Sequence, residues 1–207
     1  MRRRLSKIAL AACLLFSASL PAEAAAVLQK RKPGHTAQRR QPRLRKPDVI
    51  YVPTPPETVD EMLRQARLKK GDVLFDLGSG DGRIPLAAAK QYGVRAVGID
   101  IDAKLVGEAT ETAKREGLER LVTFRLGDMF AADLSGATVV TLYLSDRLNV
   151  LMRPKLLREL PVGARIVSHD FRMGDWQPER TARVPWRNLY RMVYVWTVPP
   201  AGRLRKR

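Results

Sequence analysis

"DLGSGDG", Asp76 to Gly82, decides how this chain folds. It follows a short apolar run, Asp72 to Leu77, and opens on an alanine-rich stretch, Arg83 to Tyr92. That order reads as strand, loop and helix. Gly78, Gly80 and Gly82 stand at alternate positions, where a missing side chain lets the backbone turn sharply and approach a ligand. The loop then runs into a helix N-terminus, whose N–H groups face whatever sits there. A dinucleotide fingerprint has the spacing G-x-G-x-x-G. Here the spacing is G-x-G-x-G, and Arg83 stands where the fingerprint needs a small residue. Asp76, two residues before the first glycine, would repel a pyrophosphate and suits a ligand carrying an ammonium.

Working outward, the same alternation recurs. Arg95 to Ile99 reads as a strand ending at Asp100, and Ala103 to Glu116 as a helix stopped by Gly117, with Asp102 as its cap. Leu121–Leu126, Thr138–Leu144 and Ala164–His169 read as strands, and Asn149 to Glu159 as a helix interrupted early by Pro154. Arg180 to Trp186 and Leu189 to Val198 lack a helical period and read as a closing antiparallel hairpin. Upstream, "TPPE" (Thr54 to Glu57) has capping-box spacing, and a helix follows, closed by Gly71. Seven strands with intervening helices imply an α/β fold: a doubly wound, mostly parallel, Rossmann-like sheet with a C-terminal antiparallel hairpin. Ligands of such sheets bind beyond the carboxyl ends of the strands. Asp100 stands about 20 residues after the glycine loop, where a carboxylate can hold two ribose hydroxyls. Asp128, in "LGDMF" after the third strand, can accept an adenine amino group while Met129 packs on the ring.

The net charge of +17 is unevenly placed. Residues 1–47 and 201–207 carry about +15 of it, leaving about +2 for residues 48–200. A near-neutral domain between basic tails argues against nucleic-acid recognition by the fold itself. Residues 1–26 read as a signal peptide: "MRRRLSK", the apolar run Ile8 to Leu20, then Ala22-Glu23-Ala24 as a cleavage site. The arginines and following lysine approximate a twin-arginine signal, which moves folded proteins. Export to the periplasm is the expectation; retention of the apolar run as a membrane anchor is the alternative. Cleavage would remove Cys13, the only cysteine, and with it any disulfide or cysteine-bound metal. Residues 27–47 are basic and broken by Pro and Gly, a linker that could lie on an anionic membrane surface. Residues 48–200 form the expected domain, with 201–207 a basic tail.

D-x-G-x-G-x-G after a strand resembles motif I of the class I methyltransferases that use S-adenosylmethionine. "YVPTPPETVDEML", "DLGSGDGRI", "AVGIDID", "VVTLYL", "RPKL" and "ELPVGARIVSHDF" occur in one order and, with Trp176, look like the seven-strand protein-lysine methyltransferases of archaea and mitochondria. The resemblance runs from about Tyr51 to Trp196. It implies S-adenosylmethionine as cofactor, a protein lysine as acceptor and no metal. Asp76, Gly78, Ser79, Gly80, Gly82, Asp100, Asp128 and Met129 would hold the cofactor. The sequence departs after the fourth strand, where "SDRLN" replaces an apolar or proline-bearing stretch, and Asp100 stands where many members carry glutamate. Tyr51, Thr54, Tyr143, Asp146, His169 and Asp170 lie at the right edge of the sheet to receive the acceptor's proton or place the acceptor. Trp176 could wall its channel. Two other readings stand beside this one: methylation of a small molecule or nucleic-acid amine, and a non-catalytic cofactor-binding module. Against the nucleic-acid amine, "YLSD" lacks the Asn/Asp-Pro-Pro-aromatic motif expected after the fourth strand. Against the non-catalytic module stands the intact glycine loop.

Overall fold

The computed structural model describes Leu44 and residues 46–200; the signal-peptide reading, most of the linker and the basic tail lie outside them. Among the described residues, seven strands form one sheet: β1 Val73–Leu77, β2 Arg95–Asp100, β3 Val122–Leu126, β4 Val139–Leu142, β5 Arg165–His169, β6 Arg180–Trp186 and β7 Leu189–Thr197. Their order is β3-β2-β1-β4-β5-β7-β6. The first five are mutually parallel. β7 enters antiparallel beside β5, with His169 opposite Val193, and β6 closes the edge. The order reverses between β1 and β4, which opens a crevice at their carboxyl ends.

Both faces are covered because the inner strands are apolar on both sides. On one face, helices α1 (Pro56–Ala66), α2 (Arg83–Tyr92) and α3 (Ala103–Arg115) bury Met62, Leu63, Ile84, Ala88 and Ala113 against Leu74, Ala96, Val139 and Val167. On the other, α4 (Asp146–Glu159) sets Leu148, Met152 and Leu156 against Leu77, Leu142, Ile166 and Trp196. Fully burying one such side chain is worth about 1.5–3 kcal/mol.

Three local expectations need correction. The N-cap of α1 is Pro55, with no side-chain cap; the Thr54 hydroxyl points elsewhere, and two consecutive prolines make the start without it. The same helix ends at Arg67, in the left-handed region at φ 49°, so Gly71 belongs to the turn beyond it. α4 begins three residues before Asn149, because Ser145 caps it by accepting from Leu148 N–H at 3.2 Å. Pro154 therefore lies inside the helix. It forfeits one bond, to the carbonyl of Val150, a residue 40% exposed and so open to water. Asp102 does cap α3, accepting from Lys104 N–H at 2.8 Å.

One buried ion pair ties the far edge together. The Arg165 guanidinium donates to Asp72 and to the last carbonyls of α1, those of Ala66 and Arg67 at 3.1 and 2.9 Å. The Asp72 side chain is only 3% exposed, and it also accepts from Lys69 N–H and the Thr138 hydroxyl, both at 2.8 Å. Burial alone would raise the Asp72 pKa; the Lys69 and Thr138 hydrogen bonds and Arg165 outweigh it and hold the pKa below the usual range.

Candidate cofactor and acceptor site

The crevice between β1 and β4 is a cavity of about 470 Å³. Asp76, Gly78 and Ser79 from the β1 loop line it, as do Asp100 from β2, Asp128 and Met129 after β3, and Leu144 and Leu148 after β4. Residues 47–54 complete the wall from the N-terminal side. Three strand-end carboxylates that lie far apart in sequence thus meet in one space.

The glycines divide their work. Gly78 and Ser79 donate their N–H groups to the Ile99 carbonyl at 2.8 and 3.1 Å, which stitches the loop to β2. Gly80 N–H donates to Asp100 Oδ2 at 2.7 Å. Gly82 (φ +80°) and Gly80 do not line the cavity. A Cβ on Gly82 would lie 2.3 Å from the Phe124 ring and 2.9 Å from Ala109, so its role is to let α3 and β3 press against the loop. A Cβ on Gly80 would strike Tyr51, at 2.4 Å.

Asp76 is buried and accepts from the Thr141 hydroxyl at 2.7 Å. Burial pushes its pKa to about 7 against that hydrogen bond, helped by the like charges of Asp100 and Asp81. A carboxyl held there gains by meeting a cation. Asp81, Asp102 and Asp128 add to the acidity of the lining. This donor set fits a sulfonium amino acid linked to a nucleoside: acid for its ammonium, Asp100 for ribose hydroxyls, Met129 against a ring. It does not fit a pyrophosphate.

Arg83, in the fingerprint position that wants a small residue, is explained by its partners. Its guanidinium grips Asp81 at 2.6–3.1 Å and donates to the Thr54 carbonyl at 2.7 Å. The Tyr51 phenol feels the same pair, Asp81 raising its pKa and Arg83 lowering it. The loop thereby pins the "YVPT" segment over itself. Sequence reading missed Arg83 and Asp81 as site residues; the signal was the large side chain at a small-residue position.

Thr54 lies at the cavity wall, its Oγ1 3.2 Å from His169 Nδ1. His169 is fully buried behind it and does not line the cavity. Burial pushes the imidazole pKa down to about 4, against the attraction of Asp170, so the ring is neutral at pH 7. Tyr143 stacks on that ring, centroids 3.8 Å apart, and its other neighbour is Phe171. Burial raises the phenol pKa of both Tyr51 and Tyr143, keeping them protonated. Asp170 sits at φ 58° and accepts from Met192 N–H and Arg191, both at 2.8 Å, so it locks β5 to β7.

Asp146 and Trp176 do not reach the cavity. Asp146 accepts from Arg172 N–H at 2.7 Å, bracing two loops. Trp176 packs on Trp196, and its carbonyl accepts from the Trp196 indole at 2.8 Å. "SDRLN" is likewise a brace: Ser145 caps α4, and buried Asn149 donates to Ser168 Oγ and the Phe171 carbonyl at 3.0 and 3.2 Å. Its apolar contribution to the site is Leu148.

Residues 76–180 match the sequence profile of the ANTKMT methyltransferase domain. The chain is 39% identical over 153 residues to the protein-lysine N-methyltransferase of Saccharolobus islandicus, covering 73% of this chain and 95% of that one. It is 40% identical over 131 residues to the adenine nucleotide translocase lysine N-methyltransferase of Mus musculus, covering 63% of this chain. It spans only 56% of the mouse protein's length. Among solved structures, a chain described as an RNA methyltransferase of Salinibacter ruber, in complex with S-adenosyl-L-homocysteine, is 49% identical, with a TM-score of 0.70. That match covers 75% of this chain and 99% of the other.

Proposed function

Because the chain belongs to the ANTKMT methyltransferase family, we propose that it moves the methyl group of S-adenosylmethionine to a lysine side-chain nitrogen of a protein. The observation that carries the acceptor is the apolar and aromatic part of the cavity wall. It is built from Tyr51, Pro53, Tyr143, Leu144 and Leu148, with the Thr54 hydroxyl as a polar group among them. Such a wall accepts an apolar stem ending in an amine. A free lysine has a pKa of about 10.4, and burial against aromatic and aliphatic groups lowers it.

When bound, the cofactor supplies an electrophilic methyl for in-line displacement. The chain's own residues position the nucleophile and desolvate it. Thr54 can accept an N–H from the amine and so orient its lone pair. His169 fixes the Thr54 rotamer, and Tyr143 covers the imidazole. None of Tyr51, Tyr143, Asp146 and His169 is set up as a strong base: the phenols stay protonated, Asp146 faces Arg172, and the buried imidazole holds a proton poorly. Positioning and desolvation are the catalytic terms. The likeness to the Salinibacter RNA methyltransferase favours RNA as a second acceptor. Labelled methyl from the cofactor, offered protein and RNA extracts together, distinguishes them: methyl-lysine on mass spectrometry supports the first reading, a methylated base the second.

The acidic pocket gives a pH prediction. The affinity for S-adenosylmethionine is expected to fall as the pH drops from 8 to 6, because Asp76 takes up a proton near 7 and loses its attraction for the ligand's ammonium. In the free protein the sign is opposite. A folded pKa above the unfolded value of about 3.9 means that stability declines as pH rises from 4 through 7. Calorimetry across this range checks the first effect; Asp76→Asn should abolish the slope, and a slope that survives would overturn the assignment.

Where the enzyme works is a proposal of its own. Export is favoured, because "AEAAA" has the pattern of a cleavage site and no use in an anchor. The basic stretch 27–47 would then attach the domain to anionic lipid. A fusion of residues 1–60 to a reporter active only outside the cytosol, with N-terminal sequencing, tests this; an intact Met1 and a silent reporter would reverse it.

A further inference from the structure

β7 runs antiparallel to β5, so its first residues pass beyond the carboxyl end of the sheet, where the cavity opens. The β6–β7 turn lies there. Pro185, Trp186 and Arg187 share a groove with Pro53, Pro55, Pro56 and Arg83, which makes the hairpin tip continuous with the N-terminal wall of the cavity. Two features mark this rim. Large apolar side chains stand in solvent: Ile50 is 85% exposed, Leu189 65% and Tyr190 55%, with Tyr51 and Val52 each at 45%. Around them the hairpin tip carries Arg183 and Arg187, with Arg191 behind them, and no carboxylate stands between residues 180 and 197. The acidic neighbours are Asp48, Glu57 and Asp170, the last paired with Arg191 at 2.8 Å.

The aromatic rings are already stacked by cations. Arg183 lies 4.1 Å from the Tyr190 ring centre, and Arg187 and Arg191 lie 4.7 and 4.1 Å from that of Trp186. A nucleic-acid base would have to displace a guanidinium to stack there, so the rim is poorly suited as a base platform. Exposed Arg183 and Arg187 among exposed Leu, Ile and Tyr suit a different surface. Lipid phosphates meet the arginines, and the apolar tips enter the headgroup–acyl boundary, where Trp and Tyr are favoured. The basic stretch that ends at Pro47, itself part of the cavity wall, adds charge of the same sign.

We propose that the β6–β7 tip and the Val49–Val52 segment form a membrane-interfacial rim that seats the mouth of the methyl-transfer cavity on an anionic bilayer. It deepens the reading that the basic stretch attaches the domain to lipid, and it concerns different residues. The acceptor nitrogen would then be one presented at the bilayer surface.

The test reports position rather than mere attachment. In the full chain with Cys13→Ser, Leu189→Cys is labelled with an environment-sensitive fluorophore; Glu119→Cys, at the opposite edge before β3, carries the same label as a control. With phosphatidylglycerol vesicles the label at 189 should brighten severalfold and shift to the blue, with little change at 119. Phosphatidylcholine vesicles should give little response at either. Arg183→Glu with Arg187→Glu should remove most of the signal at 189. Co-sedimentation with anionic vesicles and a silent label at 189 would overturn the rim and leave the basic stretch as the sole attachment. An equal response to phosphatidylcholine, or a response to single-stranded RNA and none to vesicles, would also overturn it. The measurement needs no acceptor and no cofactor, so its failure is separable from failure of the methylation reading.

Discussion

Asp100→Ala is expected to weaken S-adenosylmethionine binding by about 1–3 kcal/mol, roughly 5- to 150-fold in dissociation constant. Two losses combine. One is the carboxylate acceptor for the ligand's ribose hydroxyls. The other is the brace it makes inside the free protein, where Oδ2 accepts from Gly80 N–H at 2.7 Å and Oδ1 from Asp102 N–H at 2.9 Å. Without it the glycine loop loses its tie to β2 on that side and the start of α3 loosens. Asp100→Asn keeps one oxygen and should recover part of the affinity. Titration calorimetry with S-adenosylmethionine and S-adenosylhomocysteine reads both variants. An alanine variant that binds as tightly as the parent would remove Asp100 from the site.

The largest effect on stability is expected from Arg165→Leu, about 3–5 kcal/mol, because it strips the cation from a buried pair and leaves Asp72 charged in the interior. That is a large share of the 5–15 kcal/mol typical of a domain. It also abandons the carbonyls of Ala66 and Arg67 at the end of α1. The double variant with Asp72→Leu should regain much of the loss, since neither charge is then buried. The pH sign follows from the depressed Asp72 pKa. Its stabilisation is present above the unfolded value of about 3.9 and is lost as pH falls through the lower folded value. Urea unfolding at pH 7 and between pH 3 and 5 measures both. A single variant within 1 kcal/mol of the parent would show that Lys69 N–H and the Thr138 hydroxyl hold Asp72 unaided.

Much of this was legible in the sequence because it is local or periodic. Apolar runs of strand length, the alternate glycines and the acid at each strand end announce themselves within a few residues. What escaped is what depends on distant partners. "TPPE" has capping-box spacing, yet the Thr54 hydroxyl turns to His169, 115 residues away. Arg83 resembles a defect of the glycine motif until its bond to the Thr54 carbonyl, 29 residues upstream, is seen. Asp146 and Trp176 have the right types at the right edge, but the Arg172 N–H claims the first and the Trp196 ring the second. The start of α4 was missed because its serine cap lies before the apolar period begins.

The pairing of β1 with β4 has a further consequence, for when the site exists. Asp76 and Thr141, 65 residues apart, meet only after the whole β1-to-β4 segment has been made. Parallel pairings of this kind close long loops before any contact rewards them, and folding is slow for that reason. A growing chain that has emerged only as far as β3 holds the glycine loop and Asp100, but not the wall of Tyr143, Leu144 and Leu148. Bound cofactor therefore cannot nucleate the fold during synthesis; it can only lock a sheet that has already closed.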